Sequence, residues 1–266
     1  MVVFSNVKAE RLKLLEETIK QAPKSPYELL RLKKGKVTLI LFNSGKLLLQ
    51  GETYLVAELA EELMFLGIGK LVQSQMFKPE EGLIIGSDEC LKGDTFGGLI
   101  VAAVKADEKI REKLIGLGVA DSKKLSDSEI VEIAKLIKEV ASYEIKSLYP
   151  EHYNEDGNVT KMLNRLHNKC ALKLLPGKHV VDKYPGCDVG DIVETKAESK
   201  YVEVAAASIL ARDESIRQLD ELSRMAGFTL PRGSTHVKEA LEKIKHKRLD
   251  FNQLVKTSFS NVKKYL

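Results

Sequence analysis

The 266 residues contain no tryptophan, only 3 cysteines, and just 6% aromatics, so any core must be built mainly from aliphatic side chains. Cys90, Cys170 and Cys187 are odd in number and far apart, with no repeated metal-ligand spacing. That pattern excludes a disulfide framework and gives no reason to expect structural zinc; reduced thiols in the cytoplasm are expected. No apolar run reaches the length of a membrane-spanning helix, and the N-terminus has no cleavable apolar segment, so no membrane association is expected. Charge of one sign is also lacking. The 42 basic and 38 acidic residues leave a net +4, too slight by itself to identify a nucleic-acid partner. His167 has no second histidine at ligand spacing, so a histidine-based metal site is not expected. What remains is a globular composition, 44% hydrophobic and 30% charged, with material for two domains of unequal size.

The most informative stretch is 83–104. Two apolar runs, Leu83-Ile84-Ile85 and Leu99-Ile100-Val101-Ala102-Ala103-Val104, flank a polar segment opening with Asp88 and Glu89. The runs read as central strands and the insert as the turn region between them. Adjacent carboxylates at the end of an apolar run cost desolvation and mutual repulsion unless a cation or donor compensates. An acidic hairpin and a functional site both fit this stretch alone. Cys90, next to the pair and with no nearby histidine, reads as a small buried filler.

Before this stretch, Leu12, Leu15 and Ile19 have helical spacing and predict an amphipathic helix over 8–20. Residues 27–32 predict a strand, 36–51 a hairpin turning at Asn43-Ser44-Gly45, and 54–66 a second helix. This order of helix, three strands and helix describes a small α+β domain over 1–72, with 73–82 as a linker and 83–266 as the larger domain. Arg31, Lys33, Lys34 and Lys36 could meet a phosphate backbone or simply form a solvated turn.

In the larger domain, helices are expected near 107–117, 127–142, 159–175, 202–223 and 236–246, with strands at 143–148 and 179–183 and a polar loop over 150–158. Ser126 and Glu129 suit a capping box. Lys123 and Lys124 precede that helix, where they could face an anion or serve solubility. Asp182 and Glu198 also lie at element ends. If Asp88, Glu89, Asp182 and Glu198 converged, their oxygens would suit Mg²⁺ or Mn²⁺ and metal-dependent phosphoryl transfer.

Several motifs occur in a telling order: Gly86-Ser87-Asp88-Glu89, Lys92-Gly93-Asp94, Phe96-Gly97, Asp121-Ser122-Lys123-Lys124-Leu125, Tyr153-Asn154, Leu166-His167-Asn168-Lys169, Val181-Asp182, Thr195-Lys196-Ala197-Glu198-Ser199 and Val204 through Arg212. Together they resemble the ribonuclease HII/HIII family. Glu198, where the HII branch has aspartate, and Leu230-Pro231-Arg232-Gly233 resemble the HIII branch. The resemblance implies an α/β ribonuclease H-like mixed sheet with flanking helices, preceded by a small α+β domain similar to a TATA-binding protein. It implies a monomeric endonuclease cutting the RNA strand of RNA/DNA hybrids with Mg²⁺ or Mn²⁺, leaving 5′-phosphate and 3′-hydroxyl ends. Asp88, Glu89, Asp182 and Glu198 would form the catalytic metal centre. Cys90, Leu91, Lys92, Gly93, Lys123 and Lys124 would bind substrate, as would Arg31, Lys33, Lys34, Lys36 and Lys46 of the N-terminal domain. One departure stands out. Leu91 occupies the first position of the family's Gly-X-Gly loop, which grips ribose 2′-hydroxyls, and its side chain restricts the backbone. HII-like cleavage at single ribonucleotides in DNA, or a catalytically silent nucleic-acid binder, therefore stands as an alternative.

Overall fold

The structure is a computed structural model that describes residues 2–24, 26–72, 77–78, 81–119 and 125–266. The chain divides into two compact units, Met1–Met76 and Phe77–Leu266. The division falls within the 73–82 segment, of which 73–76, 79 and 80 lie outside the described residues. Phe77 packs on the core of the second unit, and the Lys78 N–H donates to Lys200 O at 2.7 Å, so these two belong with it rather than to a linker.

The first unit runs β1 (Val2–Ser5), β2 (Thr18–Gln21), β3 (Glu28–Lys34), β4 (Val37–Phe42), β5 (Leu47–Gln50), α1 (Thr53–Phe65) and β6 (Lys70–Val72). Its antiparallel sheet has the order β2-β3-β4-β5-β1-β6. Side chains alternate between sheet faces, so Leu32, Leu39, Leu41, Leu47 and Leu49 pack with Val56, Leu59 and Leu63 of α1. The β4–β5 hairpin closes at Gly45, whose φ of 76° is a conformation that glycine adopts without a steric penalty. The helix expected over 8–20 is absent. A 3₁₀ helix (Ala9–Leu14) and β2 replace it. Leu12 and Leu15 are buried but Ile19 is 68% exposed, so the apparent helical period came from two separate elements.

The second unit contains β7 (Ile84–Cys90), β8 (Leu99–Ala106), α2 (Glu108–Gly116), α3 (Asp127–Val140), β9 (Ser142–Leu148), α4 (Pro150–Asp156), α5 (Val159–Leu174), β10 (Lys178–Asp182), β11 (Ile192–Glu194), α6 (Val202–Ala226), α7 (Lys238–His246), α8 (Phe251–Leu254) and α9 (Ser260–Lys263). The sheet order is β11-β10-β7-β8-β9; β7, β8 and β9 are antiparallel neighbours, while β10 runs parallel to both β7 and β11. Ile100, Ala102 and Val104 meet α3 and α6 on one face. Ile85, Val101 and Ala103 meet Met162, Leu163 and Leu166 of α5 on the other. The Ser126–Glu129 capping box forms as expected. Residues 150–156, expected as loop, are helical because Pro150 sits in the first turn, where its missing N–H costs nothing. Gly86 is needed for close approach: a Cβ there would lie 2.3 Å from Val204 N, so a side chain would push α6 off β7.

Candidate active site

Strands β7 and β10 end together. Val181 lies opposite Ser87, so the next residues, Asp182 and Asp88, arrive side by side at the sheet end. Alternation turns Asp88 and Asp182 toward α6, with Ile84 and Val180. Glu89 turns toward α5, as do Ile85 and Ser87. Asp182 Oδ1 accepts a 2.8 Å hydrogen bond from the Ala197 N–H, tying the strand end to the 3₁₀ turn Ala197–Ser199. That turn carries buried Glu198, whose Oε2 accepts from Ser208 Oγ of α6 at 3.5 Å.

The two adjacent acids have opposite electrostatics. Burial, then the Glu89 carboxylate, push the Asp88 carboxyl well above its ordinary pKa; Glu198 adds to this, while Ser208 and the Glu89 N–H partly offset it. Burial also pushes Glu89 up, but His167 and Lys92 together hold it below the usual carboxylate range. Lys92 Nζ lies 3.2 Å from Glu89 Oε1. Glu89 Oε2 and His167 Nε2 face each other at 3.5 Å, both buried and without a hydrogen-bond partner among the described residues.

A polar chain runs beneath Glu89. Buried Ser87 Oγ lies 2.7 Å from both His167 Nδ1 of α5 and His179 Nε2 of β10. Burial and then His167 lower the His179 pKa to about 4, so that ring is neutral at physiological pH.

β7 ends at Cys90, and the loop after it holds Leu91, Lys92 and Gly93. Leu91 takes φ of 64°, the left-handed conformation ordinarily left to glycine, at a cost of roughly 1–2 kcal/mol. The side chain does not prevent the loop's glycine-like path; it is buried in the core beside Phe96. Cys90 is a half-buried thiol whose pKa burial raises, in keeping with a filler. Lys92 Nζ also lies over the Tyr184 ring at 4.9 Å. Gly93 has open space where a Cβ would be.

The basic residues expected to bind substrate in the first unit do not share one face. Lys123 and Lys124 lie outside the described residues. Lys34 projects to the α1 face and pairs with Glu62 at 2.5 Å. Arg31, buried, is held by both Glu28 oxygens at 2.8 Å, and Lys36 pairs with Glu52 at 3.2 Å. Exposed Lys33 lies on the face away from α1, across from Thr38. Lys46 ends the β4–β5 turn. Ser87, His179, Ser208 and Lys256 were not legible as site residues, because each gains its meaning from partners distant in sequence.

The residues fit a hard divalent cation. All four donors are carboxylates, Asp88 is buried among like charges, and a buried Glu89 oxygen has no hydrogen-bond partner among the described residues. They are gathered at one sheet end rather than closed into a ligand cage: among the described residues no three His, Cys, Asp or Glu side chains are grouped to hold an ion.

The family model for ribonuclease HII matches residues 85–262. The chain belongs to the ribonuclease HII/HIII family. Among the relatives of this family, ribonuclease HIII of Bacillus mycoides is 32% identical over 291 residues, covering 94% of this chain and 93% of that one. Ribonuclease HIII of Streptococcus pyogenes serotype M1 is 36% identical over 227 residues, covering 76% of this chain and 75% of that one. The crystal structure of Bst-RNase HIII in complex with Mn²⁺ superposes with a TM-score of 0.65 at 29% identity, covering 99% and 97% of the two chains. Aquifex aeolicus RNase H3 gives 0.59 at 26%, covering 97% and 100%. The mixed sheet and its flanking helices are thus a ribonuclease H-like fold. Among the described residues, no helix is long and apolar enough to cross a membrane.

Proposed function

We propose that this ribonuclease HII/HIII family member is an endonuclease that hydrolyses the RNA strand of RNA/DNA hybrids, leaving 5′-phosphate and 3′-hydroxyl ends. The observation that carries this reading is the delivery of Asp88, Asp182 and Glu198 to one sheet end, with Glu89 adjacent. These four carboxylates would hold Mg²⁺ or Mn²⁺. Two bound ions would supply Lewis-acid stabilisation of the phosphodiester and a water that ionises near neutral pH. Asp88 contributes a buried carboxyl pushed up chiefly by burial and the neighbouring Glu89 carboxylate, which a bound cation would offset. Glu89 is oriented by Lys92 and His167, and Ser208 steadies Glu198. The 2′-hydroxyl distinguishes RNA from DNA, and Leu91–Gly93 would meet it through its backbone; the left-handed φ of Leu91 supports this reading. Glu198 and Leu230-Pro231-Arg232-Gly233, which resemble the HIII branch, together with the likeness to ribonuclease HIII relatives, support recognition of consecutive ribonucleotides over HII-like cutting at a single one.

The first unit is proposed as a TATA-binding-protein-like substrate domain that meets nucleic acid through the sheet face opposite α1. Lys33 stands on that face. Lys33→Ala should make the dependence of hybrid binding on salt shallower by about one unit of logarithmic slope. The protein is proposed to act as a cytoplasmic monomer.

Cleavage mapping on three matched duplexes tests the reading: an all-RNA strand on DNA, several consecutive ribonucleotides within DNA, and one ribonucleotide within DNA, each with Mg²⁺ and with Mn²⁺. Efficient cutting of the first two and little of the third is expected. Equal cutting of the third at its DNA–RNA junction would establish the HII-like alternative. No cutting under either ion would leave a nucleic-acid binding protein.

A further inference from the structure

Lys256 lies between α8 and α9 with its side chain fully buried. A lysine ammonium carries three donors and is costly to bury unless all are used. Here all three find backbone oxygens of a single loop: Leu91 O at 2.8 Å, Asp94 O at 2.6 Å and Gly97 O at 2.9 Å. The rings of Tyr153 and Phe259 flank the ammonium at 5.2 and 5.5 Å. The same loop is gripped from other sides. The Gly233 N–H donates to Asp94 Oδ1 at 2.6 Å, and Asn261 Nδ2 donates to Thr95 Oγ1 at 2.9 Å. Leu91, strained at φ of 64°, is thus fixed through its own carbonyl.

We propose that Lys256 is a positioning residue for ribonucleotide recognition, holding the Leu91–Gly97 loop in the backbone conformation that presents Leu91–Gly93 to the substrate ribose. This rests on the nuclease function proposed above. Lys256 lies inside the protein and touches no substrate; it acts through three carbonyl groups.

The deciding quantity is a ratio of kcat/KM values. One substrate is a duplex with consecutive ribonucleotides in DNA. The other is identical but lacks the 2′-hydroxyl on the 5′ side of the mapped cut. Both values come from one preparation of full-length protein, so any inactive fraction cancels. Lys256→Met should lower the wild-type ratio by about tenfold or more, because loss of the grip falls on the substrate with the hydroxyl. An unchanged ratio in active Lys256→Met would show a purely structural lysine and overturn the proposal.

Should that variant fail to fold, the wild-type ratio measured from about pH 6 to about pH 9 decides. Burial lowers the Lys256 pKa to about 7, opposed by Asp94 of the loop and Cys90 of β7. Burial raises the Cys90 thiol and the Tyr153 phenol of α4, so neither competes with Lys256 for the change. The ratio should fall as pH rises and the ammonium loses its proton, while the pH dependence of the shared cleavage step cancels. A flat ratio, or a wild-type ratio near one, overturns the proposal. Wild type that cuts neither duplex with Mg²⁺ or Mn²⁺ overturns the nuclease reading and this proposal with it, whereas active wild type with an insensitive ratio removes Lys256 alone.

Discussion

The two faces of β7 treat neighbouring carboxylates in opposite ways. On the α6 face, Asp88 is buried near two other acids, with a hydroxyl and a backbone N–H as its mitigating partners, and its carboxyl is pushed up. On the α5 face, Glu89 has Lys92 and His167, and its carboxyl is held down despite burial. A one-residue step along a strand therefore separates a charge that destabilises the metal-free protein from one that stabilises it. The difference shows that an acidic pair in a sequence need not be an electrostatic unit.

The largest expected effect comes from removing the charge on the α6 face. Asp88→Asn should lower turnover by about a hundredfold or more, measured with Mg²⁺ and with Mn²⁺. It should hold or raise the melting temperature of the metal-free protein, because repulsion and desolvation are both relieved. Unimpaired turnover would remove Asp88 from the mechanism, and a lower melting temperature would break the contrast between the two faces.

Next is the response of the α5 face to acid. His179 has a folded pKa of about 4, below its unfolded value near 6.5. The unfolded chain therefore binds the extra proton first, and stability is full above about 6.5 and falls as pH drops toward 4. The loss by pH 4 should be roughly 3 kcal/mol, read from denaturant midpoints across that window. His179→Gln should flatten it.

Glu89→Gln should act oppositely to Asp88→Asn. Since the folded pKa of Glu89 is depressed, its contribution is present above the unfolded pKa and lost as pH falls through the folded one. At neutral pH the substitution should cost about 1 kcal/mol in the metal-free protein, measured by chemical denaturation. The smallest effect is expected for Lys92→Met. Its ion pair with Glu89 is partly exposed on the lysine side, and losing it should cost about 0.5 kcal/mol, diminishing in high salt.

Local signals were legible in the sequence, and distant pairings were not. The apolar runs around Asp88 announced β7 and β8, and Ser126 with Glu129 announced the start of α3. β1 and β6 carry little local signal because each is short and they pair with each other from opposite ends of the first unit. Leu12, Leu15 and Ile19 imitated a helix across a turn and a strand. At the site, the four carboxylates stood out because they end apolar runs or helical segments. Ser87 reads as an ordinary strand residue until α5 and β10 bring two histidines to it. Lys256, in a basic stretch, gives no sign that its side chain is fully buried against the loop.

The connectivity of the second unit also sets a timetable. β7 and β8 are close in sequence and can pair early, but Asp182 reaches Asp88 only through a parallel strand that follows β9 and α5. Non-local pairing of this kind comes late. The loop grip comes later still, since Gly233, Lys256 and Asn261 all lie after α6. As the chain emerges from the ribosome, its central strands can be in place while Asp182, Glu198 and the C-terminal cradle are still unmade. A nascent chain would then carry Asp88 and Glu89 without a working centre, so the hydrolytic activity proposed above would be withheld until the residues through Asn261 have been made.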